Sequence, residues 1–232
     1  MNKNMKQIVM LGTGAVGKSS ITIQFVSHYF AHIYNPTIED SFRTNIKVDD
    51  EVYSISIMDT AGQEEFDCLK DTYIRGGDGF VIVYSITSQT SFIEASNTRD
   101  QIYRVLDKEM TEKIPIVLVG NKCDLEHERQ VQKDEVEEIA KNWNVAFLEA
   151  SAKCKTNIDL IYETIMREIL KLEKEKEGYL NELNENDESE GKEKKRKNSK
   201  RSSRNNSKNY DNNNEKKECK KRSKRHHGCV IV

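Results

Sequence analysis

The chain has 232 residues and a formal net charge of -2, a length that allows one or two domains. Its five cysteines include no CxxC pair, which excludes the common zinc-site and disulfide-framework patterns, and no apolar run has the length of a signal peptide or a membrane-spanning helix. Apolar runs are confined to the region between Met5 and Leu172. We therefore predict one folded domain over residues 1–172 and a disordered tail over residues 173–232.

Charge is distributed unevenly between these two parts. From Lys192 to Arg225 there are 16 basic and 4 acidic residues, a net charge of +12, so the rest of the chain carries a net charge of -14. A basic segment of this kind attracts an anionic partner, which is either a lipid surface or a nucleic acid.

Strands and helices alternate along the domain. In chain order, hydrophobic periodicity predicts a strand (6–11), a helix (19–29), a hairpin of two strands (41–48 and 52–58), a strand (79–85), a helix (91–106), a strand (114–119), a helix (133–142), a strand (145–148) and a helix (157–172). Several strands are apolar on both faces. This pattern predicts an α/β fold whose mostly parallel, six-stranded sheet has one antiparallel edge strand and helices on both faces.

The first strand is followed by a glycine-rich segment, Gly12–Ser19, that fits GxxxxGK[ST] and opens a helix. Glycines allow consecutive backbone N–H groups to point at phosphates, and the N-terminus of the helix adds partial positive charge. Lys18 would contact the outer phosphates, and the Ser19 hydroxyl would bind Mg²⁺. The predicted phosphate-binding residues are Gly12, Thr13, Gly14, Ala15, Val16, Gly17, Lys18, Ser19 and Ser20.

Two further segments follow later strands and could recognise a base. In Asn121-Lys122-Cys123-Asp124, the Asp124 carboxylate could accept two hydrogen bonds from guanine, one of them from the amine that adenine lacks. Lys122 would lie along the base and sugar. Asn121 would hold the glycine-rich segment Gly12–Ser19, called the phosphate loop below, in place. In Ser151-Ala152-Lys153, the Ala152 N–H could reach the guanine carbonyl.

The segment Asp59-Thr60-Ala61-Gly62-Gln63 follows the second strand of the hairpin. A carboxylate at the end of a strand is placed to hold Mg²⁺, here through Asp59. Gly62 would allow a backbone N–H to approach a γ-phosphate, and Gln63 can both donate and accept hydrogen bonds, so it could orient an attacking water.

With these motifs in place, the chain resembles the small GTPases of the Ras family over about residues 5–172, and Tyr34–Phe42 resembles the Ras and Rap effector loop. Gln63 favours a Ras-like over a Rap-like member. The resemblance implies a P-loop NTPase fold that binds GDP or GTP with Mg²⁺. It also implies that Thr37 binds the metal and senses the γ-phosphate, that Tyr34 covers the phosphates and that Phe30 packs on the guanine. Effectors would contact Ile38, Glu39, Asp40, Ser41 and Phe42.

By the same resemblance, the catalytic residues would be Gln63, Lys18 and Thr37, and the metal ligands Ser19, Thr37 and Asp59. No arginine in the motifs is positioned to stabilise the transferred phosphoryl group, so we expect slow intrinsic hydrolysis. The expected partners are a guanine-nucleotide exchange factor, a GTPase-activating protein that supplies an arginine, and effectors with Ras-binding-type domains.

The chain ends in Cys229-Val230-Ile231-Val232, which fits the prenylation motif C-a-a-X and leaves the choice of farnesyl or geranylgeranyl open. One prenyl chain anchors a protein only weakly, and the basic tail would add attraction to anionic lipids. Cys219 is a second lipidation candidate or a bystander. We expect the protein at the cytoplasmic face of a membrane, the plasma membrane in the first instance.

Three other functions are compatible with parts of the sequence. A P-loop kinase would need an acceptor pocket and a basic lid, and neither is visible in the domain. A nucleic-acid-binding protein could use the basic tail, but the tail lacks aromatic residues interleaved for stacking, so no nucleic-acid partner is expected. A nucleotide-binding module without turnover would have no need of Gln63.

Overall fold

The computed structural model of the chain describes residues 5–30, 39–60, 62 and 67–179, with residues 67–69 described by their backbone alone. The chain divides into two units, Met1–Lys174 and Glu175–Val232, and the fold below is that of the first unit.

The elements alternate between strands and helices. They are β1 (Lys6–Leu11), α1 (Lys18–Ser27), β2 (Glu39–Val48), β3 (Glu51–Thr60), α2 (Asp67–Gly76), β4 (Gly79–Ser85), α3 (Gln89–Val105), β5 (Ile116–Asn121), a 3₁₀ helix (Cys123–Glu128), α4 (Lys133–Trp143) and β6 (Ala146–Glu149). A final helix, α5, begins at residue 158 and is still helical at residue 179, where the description ends.

The six strands form one sheet in the order β2-β3-β1-β4-β5-β6. β2 pairs antiparallel with β3, and every other pair is parallel. The predicted fold class, a mostly parallel six-stranded sheet with one antiparallel edge strand, is confirmed. No helix in the described parts of the chain has the length and apolarity needed to cross a membrane.

Both faces of the central strands are buried, which explains their continuous apolar runs. Along β1, Ile8 and Met10 belong to one apolar cluster, packed with residues of α1 and α5, while Val9 and Leu11 belong to a second, packed with residues of α2, α3 and α4. Side chains alternate between the two faces of a strand. Because each fully buried aliphatic side chain contributes about 1.5–3 kcal/mol, both layers of helices are held firmly on the sheet.

The strand register places the loop-bearing ends of several strands side by side. Met10 near the end of β1 is level with Asp59 on β3, and Ser85 at the end of β4 is level with Asn121 at the end of β5. The carboxyl ends of parallel strands form the edge where ligands bind in sheets of this kind. The segments singled out in the sequence therefore meet along one edge.

The structure differs from the sequence prediction in two helices that were not predicted and in the bounds of several elements. For example, β2 begins at Glu39 rather than 41, and β3 ends at Thr60 rather than 58. Neither α2 nor the 3₁₀ helix was predicted, because each contains few large apolar residues. β5 is displaced by two residues, from 114–119 to Ile116–Asn121, since its pairing with β4 continues through the polar Asn121. α5 continues to residue 179 rather than ending at 172, because Lys and Glu support helix even where no apolar face is buried.

One buried hydroxyl group in the second apolar cluster has no hydrogen bond. Tyr84 on β4 is fully buried, and its hydroxyl oxygen has no partner among the described residues. An unpaired buried polar group costs roughly 1–3 kcal/mol. We therefore expect Tyr84→Phe to raise the melting temperature of the purified protein by about 2–4 °C, the shift that 1 kcal/mol produces in a domain of this size.

Tyr103 on α3 is the matched control for this measurement. Its hydroxyl donates to the Glu112 carbonyl at 3.0 Å, so Tyr103→Phe removes a hydrogen bond that exists and should lower the melting temperature. A decrease for both variants would show that the Tyr84 hydroxyl is satisfied in solution.

Candidate functional site

The loop between β1 and α1 follows a path that depends on glycine. Gly12 and Gly17 have φ angles of 135° and 99°, and Ala15 lies between them at a φ of 60°. A Cβ atom on Gly12 would lie 2.1 Å from the Val83 carbonyl oxygen on β4, so a side chain there would displace the loop from the sheet. Loops that turn through left-handed backbone conformations present their N–H groups to anions.

Lys18 lies inside the curve of this loop, to which the side chain is tied by two hydrogen bonds. Its ammonium donates to the carbonyl oxygens of Gly12 at 2.8 Å and Thr13 at 2.9 Å, and the residue is 5% exposed. Burial lowers the pKa of Lys18 to about 8, an effect that the charge of Asp59 only partly offsets. A bound phosphate would supply the negative charge that favours the protonated amine.

Asp59 near the end of β3 provides a second buried charge beside Lys18. The residue is 1% exposed, and its carboxylate oxygens have no hydrogen bond of standard geometry among the described residues, although the Ser19 side chain lies close enough to interact with the carboxylate. Burial raises the pKa of Asp59 to about 6, and the weaker influences of the Ser19 side chain and Lys18 oppose the rise. A buried carboxylate with so little compensation is suited to a cation that is held in the same place.

The donors near Asp59 fit a hard divalent cation that is bound jointly with phosphate. Among the described residues, no three His, Cys, Asp or Glu side chains are grouped so that they could hold a metal ion by themselves. Magnesium is typically bound through one or two protein groups, with phosphate oxygens and water completing the coordination. Asp59 and Ser19 suit that arrangement.

The backbone at Gly62 packs directly against the phosphate loop. A Cβ atom on Gly62 would lie 2.4 Å from the Gly14 nitrogen and from the Thr13 carbonyl atoms, whereas a Cβ on Gly14 would lie 3.7 Å from the nearest atom, the Gly62 oxygen. Close approach at this point therefore requires glycine at position 62. Thr60, two residues earlier, uses its hydroxyl to donate to the Met10 carbonyl at 2.7 Å, which fixes the end of β3 to β1.

Asn121 at the end of β5 connects the phosphate loop to the loop after β6. Its amide nitrogen donates to the Val16 carbonyl at 2.8 Å, and its amide oxygen accepts from the Ala152 N–H at 3.3 Å. The Ala152 N–H, which the sequence analysis assigned to the guanine carbonyl, thus donates to Asn121 in this structure. A Cβ on Gly17 would lie 2.2 Å from the Asn121 amide nitrogen.

Asp124 and Ser151 lie together although they follow different strands. The Ser151 hydroxyl donates to a carboxylate oxygen of Asp124 at 2.6 Å and accepts from the Cys154 N–H at 3.0 Å. Asp124 is partly exposed and so remains accessible to a ligand, whereas Ser151 is fully buried. Lys122 turns through a left-handed conformation (φ 66°) immediately before Asp124. Lys153 is exposed.

The described structure thus brings together the phosphate loop, Asp59, Gly62, Asn121, Asp124 and the Ser151–Ala152 segment. Phe30 packs against the first apolar cluster. The predicted residues that lie outside the described part of the chain are Tyr34, Thr37, Ile38, Ala61, Gln63, Cys219 and Cys229. The sequence analysis did not identify Val83 as the neighbour of Gly12, because nothing in an apolar strand marks which carbonyl faces a distant loop.

Comparison with known proteins accounts for this geometry. The Ras family model matches residues 7–171. The chain is 48% identical over 172 residues to the Ras-like protein rasB of Dictyostelium discoideum, which covers 74% of this chain and 86% of the relative. The chain belongs to the Ras family. The Ras-like protein rasZ of the same organism is 43% identical over 184 residues, covering 76% and 85% of the two chains.

Ras-family proteins are small GTPases that bind GTP and GDP and hydrolyse GTP, typically with Mg²⁺, so this chain is a GTP-binding GTPase. The phosphate loop, the buried Asp59 and the paired Asp124 and Ser151 suit such a ligand at its phosphates, its metal and its base. For a Ras-family protein, the phosphates of a bound nucleotide would supply negative charge next to Lys18.

The contrast between Gly17 and Gly14 can be tested directly. Gly17→Ala would force a Cβ into the Asn121 amide at a φ of 99°, and losing the Asn121–Val16 hydrogen bond should speed release of a fluorescent GDP analogue by about 10-fold or more. Gly14→Ala adds a Cβ at an ordinary contact distance, so release should stay close to the wild-type rate. Equal rates for the two variants would contradict this account of the loop.

Proposed function

We propose that this Ras-family GTPase is a membrane-anchored molecular switch that hydrolyses GTP slowly by itself and binds effectors in its GTP form. The observation that carries the proposal is the contact between Gly62 and the phosphate loop at Thr13 and Gly14. Gain or loss of the γ-phosphate at this loop would therefore act on the backbone at Gly62, which precedes α2. Two ligand-dependent states of that segment would constitute the switch.

The effector-binding face would be the first part of β2. Glu39, Asp40 and Ser41 are exposed on this edge strand, and Phe42 is half-buried. The Tyr73 hydroxyl on α2 donates to the Glu39 carboxylate. This contact joins α2 to the proposed effector face. A change near the phosphates could therefore alter α2 and the effector face together.

Hydrolysis would depend on positioned groups around the phosphates. Lys18 and the loop N–H groups would stabilise negative charge on the phosphates, and Gln63 would orient the attacking water. Bound Mg²⁺, held by Ser19, Thr37 and Asp59, would neutralise phosphate charge.

The arginines that follow the switch motifs support a need for an external arginine. Arg75 donates to the Val105 carbonyl on α3 at 3.1 Å, and Arg43 is exposed on β2. Neither contacts the phosphate loop. A GTPase-activating protein would supply the missing positive charge. Tight nucleotide binding would make release slow, so an exchange factor would also be needed.

Membrane anchoring would depend on the C-terminal tail. Prenylation of Cys229 and attraction of the basic stretch Lys192–Arg225 to anionic lipids together provide the two signals that stable anchoring requires. Cys219 could add a second acyl chain. These features support a location at the cytoplasmic face of the plasma membrane.

Nucleotide selectivity and turnover test the proposed activity. Purified protein with Mg²⁺ should bind GTP at least 1,000-fold more tightly than ATP. Adenine lacks the amine that would donate a hydrogen bond to Asp124, so bound ATP would leave the Asp124 carboxylate unpaired. Its GTP hydrolysis should be slow and should rise at least 1,000-fold with a Ras-type activating protein, the scale expected for an arginine supplied in trans.

Two results would contradict this proposal. Comparable affinity for ATP and GTP would remove the base-recognition role of Asp124. Fast hydrolysis by the protein alone, with no response to an activating protein, would remove the need for an external arginine.

Localisation tests the anchoring proposal separately. Cys229→Ser removes the sulfur that would carry the prenyl group, so a fluorescently tagged protein should move from the membrane fraction to the cytosol. Cys154→Ser is the matched control, because it removes an exposed cysteine from the domain and leaves the tail and its terminal motif intact. Unchanged membrane localisation of Cys229→Ser would overturn the proposed anchor.

A further inference from the structure

Arg129 follows the 3₁₀ helix that carries Asp124, and its guanidinium contacts two carboxylates at once. Nε and one terminal nitrogen donate to the two oxygens of Glu126 at 2.8 and 2.7 Å. The two terminal nitrogens donate to the two oxygens of Glu149 at 2.7 and 3.0 Å. A further bond to the Val131 carbonyl, at 3.1 Å, uses the last of the five N–H groups.

These contacts join the two segments from which the base-recognition residues come. Glu126 belongs to the 3₁₀ helix and lies two residues after Asp124, and Glu149 ends β6 two residues before Ser151. Asp124 and Ser151 then meet through their own hydrogen bond at 2.6 Å. The Arg129–Glu149 contact and the Asp124–Ser151 hydrogen bond therefore connect the same two segments at two separate points.

The two halves of this arrangement differ in strength. Glu126 is 67% exposed, so its ion pair is weakened by solvent, whereas the side chains of Arg129 and Glu149 are 11% and 16% exposed. Hydrogen bonds to Glu126 and Glu149 hold the pKa of Arg129 above its usual value. Paired geometry of this kind fixes orientation as well as distance, which a lysine could not reproduce.

We infer that Arg129 is a positioning residue for base recognition, which holds the Asp124 segment against the end of β6 so that the Asp124 carboxylate faces the guanine amine. The inference rests on the proposed guanine recognition by Asp124. Arg129 itself would not touch the nucleotide. Its removal should therefore weaken the contact made by Asp124 more than the contacts made by the phosphate loop.

The experiment compares release of two nucleotides from full-length protein with Mg²⁺. IDP differs from GDP only by lacking the exocyclic amine, so wild type should release IDP about 10-fold faster or more, the value of one hydrogen bond to a charged group. In Arg129→Ala, GDP release should accelerate about 10-fold and IDP release less than about 3-fold, so the discrimination between them falls by at least about 3-fold. A purely structural loss would accelerate both equally.

Two further variants separate geometry from charge and from general destabilisation. Arg129→Lys keeps the positive charge but cannot pair with both carboxylates, so it should also lose discrimination. Arg167→Ala is the matched control, because Arg167 likewise approaches two carboxylates, Asp49 and Glu163, at 3.4 and 3.2 Å, but is 45% exposed and lies on α5. Its nucleotide discrimination should remain at the wild-type value.

The outcomes distinguish this inference from the proposed function. If wild type discriminates GDP from IDP and Arg129→Ala does so equally well, the inference is overturned and guanine recognition stands. If wild type releases both nucleotides at the same rate, guanine recognition by Asp124 fails and the inference fails with it. Should Arg129→Ala be insoluble, soluble Arg129→Lys with wild-type discrimination would overturn the inference alone.

Discussion

A buried hydrogen bond from the Asn121 amide nitrogen to the Val16 carbonyl, 2.8 Å long, joins the end of β5 to the loop after β1, although the two residues lie 105 positions apart in the chain. The bond exists only because residue 17 has no side chain, since a Cβ there would lie 2.2 Å from the same nitrogen. Through its amide oxygen, Asn121 also holds the Ala152 N–H. One side chain thus sets the distance between the loop that would bind phosphates and the segments that would recognise a base.

The centre of the site carries opposite charges that are buried without sufficient compensation. Burial lowers the pKa of Lys18 to about 8 and raises that of Asp59 to about 6, so both groups are driven toward their neutral forms. Burial removes both groups from water, which favours the neutral form of each. A triphosphate and a divalent cation would provide the missing counter-charges, which means that ligand binding and domain stability are linked.

The phosphate side and the base side of the site are built differently. On the phosphate side, backbone atoms set the geometry. The close approaches of Gly12 to Val83 and of Gly62 to Thr13 leave no space for side chains. On the base side, polar side chains set the geometry, through the Ser151–Asp124 hydrogen bond and the paired contacts of Arg129. Backbone suits phosphate oxygens, which accept from any N–H group, whereas a base needs donors and acceptors in a fixed pattern.

The sequence by itself determined the order of the six strands and four of the five α-helices, the class of sheet and the segments that would contact a nucleotide. Periodicity and doubly apolar strands are local signals, and so is the glycine spacing of Gly12–Ser19. Only the tertiary structure decided which distant groups meet: Val83 with Gly12, Met10 with Thr60, and Arg129 with Glu149. These contacts depend on strand register and on the paths of separate loops, and no local pattern encodes them.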